Sequence, residues 1–274
     1  MSDPHLRRHG TIASSGTRKG LKKAALGIVL VAVCAGILAA PALDHAKRRK
    51  KLIAGVSYVV PAYKAGTKFR TPEVIDTALA EDIAHRLNLP LTTVRVETKA
   101  DIALMMLTER ARLPRSATII PTGYAAGPMA IMRSDTTIKS WDDLKGRKVC
   151  LSESGHYVGM PAAKYGAVEM VFKAPADALI ALRTGACDAA VHDNTILEEL
   201  IKLPEWKKFS ATLNSTQRAP LALIVPKVDT NTTTFLTQVV QDWMASGYLD
   251  QLTKKAVQNI AFEVYLDQDV PDCH

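Results

Sequence analysis

The feature that most restricts the fold is an alternation of short apolar strands and amphipathic helices that begins at Lys51. The first cycle contains the strand KLIAGVSYVV, a helix between Thr71 and Asn88 with apolar residues three or four positions apart, and the strand LTTVRVE. This order is typical of a parallel sheet with helices packed on it. We therefore predict an α/β fold.

The next connection departs from this pattern. Only Thr98 and Lys99 separate the strand LTTVRVE from a further apolar strand, ADIALMML. A connection between parallel neighbours needs a crossover of about a dozen residues or more. Either one of these segments is not a strand, or the two strands are not parallel neighbours.

The alternation restarts at Thr137. Strands are predicted at RKVCLS, VEMVFK, CDAAVHD and LALIVPK, with helices between them and a long amphipathic helix near the C-terminus. Two such units predict two lobes with a ligand cleft between them. We expect the first lobe to comprise residues 43–130 and 221–274, and the second to comprise residues 131–220.

The first 42 residues have the three parts of a secretory signal: a basic region, the apolar run ALGIVLVAVCAGILAA and the small-residue site Ala40-Pro41-Ala42. We predict a signal peptide over residues 1–42 and export to the periplasm. An uncleaved membrane anchor is the alternative, because the apolar run approaches the length of a membrane helix.

The same segment accounts for most of the net charge of +8. It carries six basic residues and one acidic residue, which leaves 29 basic and 26 acidic residues in the remainder of the chain. The cluster at Lys47 to Lys51 is interpreted as a solvated segment before the first strand. We therefore expect no nucleic-acid partner.

Three cysteines follow the predicted signal: Cys150, Cys187 and Cys273. Their spacing fits no zinc-site pattern, and no cofactor is expected. In an oxidising compartment a pair is expected to form a disulfide bond. Cys150 and Cys187 lie on or beside apolar strands, whereas Cys273 is close to the C-terminus, where chains fray. The first two are the favoured pair; two buried thiols or a bond to Cys273 are the alternatives.

Five segments together resemble, in order and spacing, the extracellular solute-binding proteins of family 3, the polar amino-acid receptors of ABC importers. The segments are KLIAGVSYVVPAY, ALAEDIAHRLN, WDDLKGRKVCLSESG, ALRTGACDAAVHD and MASGYLDQLTKKA. The resemblance implies a two-lobed clamshell of type II with the ligand cleft between the lobes. It also places the first and third strands of the second lobe side by side, which brings Cys150 and Cys187 within disulfide distance.

In the family, an aspartate of the second lobe binds the ammonium group of the ligand, and Asp193 stands at the matching position. It follows a predicted strand, and the carboxyl ends of parallel strands face the cleft in open α/β sheets. Asp193 could instead cap the next helix. However, Thr195 and Glu198 can form a capping box, which leaves Asp193 available to the ligand.

The second-lobe loop that is usually Gly-Thr-Thr in the family is Ser154-Gly155-His156 here. In the family this loop offers hydroxyls and helix N-terminal amides to an anionic group of the ligand. The amides remain, Ser154 can donate a hydroxyl, and His156 is a further candidate contact, although a lone histidine is more often a surface residue.

An arginine of the first lobe binds the ligand carboxylate in the family, and Arg110 is the nearest match. Arg112 and Arg115 are alternatives, because the spacing to the following aromatic residue differs from the family's pattern. A guanidinium group can hold a carboxylate through two hydrogen bonds. Tyr63 and Tyr58 are candidates to stack on the ligand, and both could equally belong to the core.

These observations predict a monomeric periplasmic receptor that is not an enzyme and delivers a small polar solute to the permease of an ABC importer. One alternative is an enzyme on the same scaffold, similar to cyclohexadienyl dehydratases, with Glu153, His156 or Asp193 as acid or base. Another is an exported ligand sensor that uses the same cleft without a transporter.

Overall fold

The computed structural model describes residues 43–62, 64–65, 70–72, 75–108, 111–227 and 229–267. The predicted signal peptide and three other residues of the sequence analysis, Tyr63, Arg110 and Cys273, lie outside the described residues. The strands are β1 (Leu52–Val56), β2 (Leu91–Arg95), β3 (Ile102–Met106), β4 (Thr118–Ala126), β5 (Pro128–Met132), β6 (Lys148–Ser152), β7 (Val168–Phe172), β8 (Ala189–Asp193), β9 (Ala211–Asn214) and β10 (Ala219–Val225). The α-helices are α1 (Asp44–Arg49), α2 (Ile75–Arg86), α3 (Met160–Tyr165), α4 (Pro175–Arg183), α5 (Asn194–Leu200), α6 (Thr230–Ser246) and α7 (Tyr248–Leu266).

The strands form two five-stranded mixed sheets with equivalent strand orders. The first sheet has the order β2-β1-β3-β10-β4, and the second has the order β7-β6-β8-β5-β9. In each sheet the first three strands are parallel, and the fourth strand in the order runs antiparallel to both of its neighbours. The chain passes from the first sheet to the second between β4 and β5 and returns between β9 and β10. The predicted α/β fold is confirmed.

The short connection between β2 and β3 has a simple explanation. Both segments are strands, but they lie on opposite sides of β1 and pair with it in parallel, so they are not neighbours. Residues 96–101 therefore cross over β1 without a helix. The amide of Val96 bonds to the carbonyl of Val56 at 3.0 Å, and the amide of Asp101 bonds to that of Ile53 at 2.9 Å.

Small side chains make this crossing possible. A Cβ atom on Gly55 of β1 would lie 3.0 Å from the Cβ atom of Ala103 and 3.3 Å from the Cα atom of Val96. A larger residue at position 55 would push the connection away from the sheet, because both neighbouring atoms belong to or adjoin the backbone.

The helices pack their apolar faces on the two sheets. The core of the first sheet is formed with α1, α2 and α6, and includes Leu79, Ile83, Leu104, Leu223 and Trp243. The core of the second sheet is formed with α4, α5 and the C-terminal half of α7. The lobe boundaries given above stay predictions. No helix within the described ranges is long and apolar enough to cross a membrane.

The disulfide bond predicted between Cys150 and Cys187 is present, with the two Cα atoms 5.9 Å apart. Cys150 lies in β6, and Cys187 comes just before β8, the parallel neighbour of β6. Both residues are buried in the core of the second sheet. The bond thus links two adjacent strands of this sheet beneath α4.

Candidate ligand-binding site

A small cavity of about 10 Å³ lies where the C-terminal ends of the strands of the second sheet face elements of the first sheet. Residues from the two sides line it in equal number. From the first side come Ile75, Asp76, Met106, Tyr124 and Leu221; from the second come Ser154, Gly155, His156, His192 and Asp193. The cavity therefore brings together three of the five predicted ligand contacts.

Asp193 occupies the centre of the polar contacts in this cavity. It ends β8, and only 4% of its surface is exposed. Its Oδ1 atom accepts a hydrogen bond of 2.6 Å from the Tyr157 hydroxyl, and its Oδ2 atom accepts one of 3.0 Å from the Tyr124 hydroxyl. Neither tyrosine contact was predicted from the sequence, because 36 and 69 positions separate the tyrosines from the aspartate.

The side chain of Asp193 does not cap α5, although the residue directly precedes that helix. The predicted capping box is wrong, because its two residues bond elsewhere. The hydroxyl of Thr195 bonds to that of Tyr124 at 2.7 Å, and the carboxylate of Glu198 accepts a bond from the side chain of Asn194. The two tyrosines, rather than a capping box, hold Asp193 away from the helix.

The loop after β6 contributes Ser154 and His156 to the cavity. Ser154 is buried, and its hydroxyl lies 2.8 Å from the hydroxyl of Ser152. His156 is exposed at the mouth of the cavity. Since α3 begins only at Met160, the amides of this loop belong to a turn rather than to a helix terminus, in contrast to the family's pattern. Contact of Ser154 and His156 with a ligand stays a prediction.

Asp76 is a second buried carboxylate, and it was not predicted from the sequence. It is 4% exposed, and its oxygens accept bonds of 2.8 Å from the amides of Ser57 and Thr77. Burial raises the pKa of Asp76 above its ordinary value, while the Ser57 amide, the charge of His156 and the Thr77 amide act in the opposite direction. The available signal was the position of Asp76 on the buried face of α2 beside Leu79, where a charge is unusual.

The cavity is rich in acidic groups and histidines. Among the residues that the structure describes, no lysine or arginine lines it. Arg112 and Arg115 were the two alternatives to Arg110. Both are exposed on the segment before β4, and neither lines the cavity. Among the described residues, no three or more histidine, cysteine or acidic side chains are grouped so that they could hold a metal ion.

A second set of polar contacts joins the segment before α2 to α4 and α7. Arg70 donates a hydrogen bond of 2.7 Å to Asp177 at the start of α4, and it also pairs with Asp267 after α7. The amide of Thr71 donates a bond of 2.8 Å to Glu263. Burial lowers the pKa of Arg70, but the two carboxylates outweigh this and raise it above its ordinary value. These bonds connect the segment before α2, which belongs to the first sheet's side, to helices that pack on the second sheet.

No protein-family model matches the chain. Among curated proteins, it is similar to the probable amino-acid ABC transporter-binding protein of Haemophilus influenzae, with 25% identity over 142 residues. The match covers 52% of this chain and 55% of the relative, so it spans about half the length of that protein.

Solved structures match a larger part of the chain. AbpA of Streptococcus pneumoniae, an amino-acid ABC transporter substrate-binding protein bound to L-arginine, has a TM-score of 0.55 and 18% identity, over 79% of this chain and 98% of that one. A mutant of ArgBP from T. maritima has a TM-score of 0.54 and 22% identity, over 79% and 99%.

A third structure is that of AncCDT-1, an ancestral amino-acid-binding protein described as a precursor of cyclohexadienyl dehydratase. Its TM-score is 0.54 at 21% identity, over 78% of this chain and 99% of that one. At such identities the structures establish the fold. The predicted two-lobed α/β fold is thereby confirmed, and this chain has the fold of these amino-acid-binding proteins.

Proposed function

We propose that the protein is a receptor that binds a small amino acid or a related polar solute between its two lobes and delivers it to the permease of an ABC importer. The observation that carries the proposal is the carboxylate of Asp193, which is buried at a strand end in the cavity between the sheets. Its partners are tyrosine hydroxyls, and no lysine or arginine of the described residues pairs with it.

This arrangement suits an ammonium group. An ionised carboxylate has about four acceptor positions, and the two tyrosine hydroxyls use one on each oxygen. The remaining positions can accept charge-assisted hydrogen bonds from an ammonium group, which are stronger than bonds between neutral groups. The names of the relatives support this ligand class, since they describe proteins that bind amino acids.

The other predicted contacts complete the proposed site. Arg110 binds the carboxylate of the ligand, together with the amides of the loop that contains Ser154 and His156. Tyr63 stacks on the ligand from the first lobe. Arg110 and Tyr63 lie outside the described residues, and their part in the site is carried over from the family resemblance alone.

Ligand entry requires the lobes to separate, because a cavity of about 10 Å³ is too small for an amino acid. The two chain crossings between the sheets supply the hinge, and they pass very close to each other. A Cβ atom on Gly127 would lie 2.2 Å from the carbonyl oxygen of Gln217. Closure of the lobes over the ligand then creates the surface that the permease recognises.

In this proposal the exported protein acts in the periplasm as a monomer without enzymatic activity. The alternative of an enzyme draws support from the similarity to AncCDT-1, which is described as a dehydratase precursor. The two functions differ in one observable. A receptor releases its ligand unchanged, whereas an enzyme converts it, and mass spectrometry of the ligand before and after incubation distinguishes these results.

The test of the receptor function begins with native mass spectrometry of ligand retained by the protein after export, followed by calorimetry with the identified ligand. Asp193→Asn is expected to weaken binding of an aminated ligand by about 100-fold or more, because it removes one partner of a buried ion pair. Asp188→Asn is the control, since Asp188 lies just before the same strand and is exposed. Unchanged affinity in a folded Asp193→Asn protein contradicts the proposed site.

A further inference from the structure

A basic surface lies where the chain enters the first sheet, and the proposed function gives it no role. It comprises the C-terminal half of α1 and the two residues that precede β1: Lys47, Arg48, Arg49, Lys50 and Lys51. All five residues are exposed. Arg49 pairs with Asp101, whereas no carboxylate of the described ranges pairs with the other four. We call these five residues the α1 basic surface.

The fold holds the α1 basic surface in place. Leu43 and Ala46 are buried in the core of the first sheet, and the amide of Leu43 donates a bond of 2.9 Å to the hydroxyl of Thr232 in α6. The amide of Lys51 bonds to the carbonyl of Ala46 at 3.1 Å and closes the turn after α1. The basic side chains are therefore attached to a packed turn. Their like charges repel one another at this spacing, and an anionic partner relieves the repulsion.

The α1 basic surface and the cavity lie at opposite ends of β1. Lys51 directly precedes β1, whereas Ser57, which follows the strand, bonds to Asp76 in the cavity. The strand has five residues, which span about 16 Å at about 3.3 Å per residue. A large partner bound to the α1 basic surface therefore leaves the cavity accessible to a ligand.

The chain that precedes α1 points to a membrane as this partner. The predicted signal peptide, with its apolar run from Ala25 to Ala40, ends directly before Leu43. The α1 basic surface is thus the part of the predicted mature protein that adjoins the membrane-inserting segment during export. Clusters of about four to eight lysines and arginines are attracted to membranes that contain anionic phospholipids.

We propose that the α1 basic surface binds the anionic phospholipid headgroups of the membrane across which the protein is exported. The protein is thereby held at that membrane with its cavity directed away from the headgroups. This inference concerns a surface outside the cavity, so it depends neither on the identity of the ligand nor on Asp193.

The experiment measures cosedimentation of the exported protein with lipid vesicles. One kind of vesicle contains phosphatidylcholine alone, and the other contains phosphatidylcholine mixed with phosphatidylglycerol. The test variant removes the four unpaired charges and keeps Arg49, which pairs with Asp101. Its substitutions are Lys47→Gln, Arg48→Gln, Lys50→Gln and Lys51→Gln.

Two further variants serve as controls. The first removes the same number of charges from exposed positions on elements that pack on the second sheet, through Lys207→Gln, Lys208→Gln, Lys254→Gln and Lys255→Gln. The second retains the charge of the α1 basic surface by exchanging lysine and arginine, through Lys47→Arg, Arg48→Lys, Lys50→Arg and Lys51→Arg. Circular dichroism establishes that each variant is folded.

We expect the unaltered protein to bind the anionic vesicles and not the neutral ones. The test variant should lose about 100-fold or more in partition coefficient, because each basic residue near an anionic surface contributes about fivefold. The charge-retaining variant should bind like the unaltered protein. The second-sheet variant should stay within about threefold of it, because charges farther than about 8 Å from the headgroups are screened at physiological salt.

Four results overturn the proposal. The first is that the unaltered protein does not bind anionic vesicles. The second is equal binding to both kinds of vesicle, which shows an apolar anchor and not recognition of headgroups. The third is an equal loss in the test and second-sheet variants, which shows an effect of net charge alone. The fourth is tighter binding to duplex DNA than to anionic vesicles. If the test variant fails to fold, weaker binding by the charge-retaining variant overturns the proposal, and retained binding that raised salt abolishes supports it.

Discussion

The two sheets have the same strand order, but they differ in the connection that leads to their third parallel strand. In the second sheet, α4 joins β7 to β8 and packs on the sheet. In the first sheet, residues 96–101 join β2 to β3 directly and cross over β1. The same arrangement of strands is thus obtained with a helical crossover in one lobe and with six residues in the other.

The residues at equivalent positions of β1 and β6, beneath the two connections, differ in size. Gly55 pairs with Ala103 in the first sheet, and Cys150 pairs with Ala190 at the corresponding place in the second. A helix stands far enough from a sheet to leave room for large side chains between them, and the disulfide bond of Cys150 occupies this space. A connection without a helix lies directly on the strand: a Cβ atom on Gly55 would lie only 3.3 Å from the Cα atom of Val96, so glycine is the residue that fits there.

The two lobes also differ in how they position a carboxylate in the cavity. In the second lobe, β8 presents Asp193 from a strand that a disulfide bond and a packed helix fix on one face. In the first lobe, Asp76 is presented by the start of α2, which is tied to the end of β1 through the Ser57 amide. The second lobe therefore has the more strongly constrained half of the site, since its support includes a covalent bond.

The largest expected effect comes from removal of the disulfide bond. The Cys150→Ala, Cys187→Ala double variant should lose on the order of 4 kcal/mol of unfolding free energy, because the bond closes a loop with a sequence separation of 37. Chemical denaturation measures the loss. A reducing agent should destabilise the unaltered protein by a similar amount and leave the double variant unaffected; equal stability of both proteins under oxidising conditions would refute the estimate.

A smaller effect is expected beneath the short connection of the first sheet. Gly55→Ala should destabilise the protein by about 1–3 kcal/mol, because the added Cβ atom crowds Ala103 and Val96. Thermal unfolding measures this change. Adding Ala103→Gly to Gly55→Ala should restore part of the loss relative to the single variant, and the absence of any restoration would show that the crowding lies elsewhere.

The smallest effect concerns the pH dependence that Asp76 adds to the first lobe. Because its pKa is raised in the folded protein, Asp76 stabilises the fold below its ordinary pKa of 3.8, and this contribution is lost as the pH rises through the raised value. The free energy of unfolding of the unaltered protein should therefore fall relative to that of Asp76→Asn as the pH increases. Denaturation at several pH values tests this, and a difference independent of pH would contradict the raised pKa.

Several parts of the fold were predictable because they depend on local patterns. The periodicity of apolar residues predicted most strands and helices of the two sheets, although it missed β4, β5 and β9. The position of Asp193 at a strand end predicted that it would face the cavity. These two inferences use spacing along the chain, which fixes the faces and ends of individual elements. The pairing of Cys150 with Cys187 was favoured because both lie on or beside apolar strands, and it was the family resemblance that placed those strands side by side.

The sequence by itself determined the α/β class, the alternation of elements and the strand end that carries Asp193. Only the tertiary structure decided that residues 96–101 cross over β1, that Tyr124 and Tyr157 bond to Asp193, and that Asp76 shares its cavity. The physical reason is that these contacts join segments far apart in the chain, and their formation depends on how the sheets and helices pack together. The capping box at Thr195 failed for the same reason, because the hydroxyl of Tyr124, brought close by the packing of the two sheets, binds the group that the local pattern assigned to the helix.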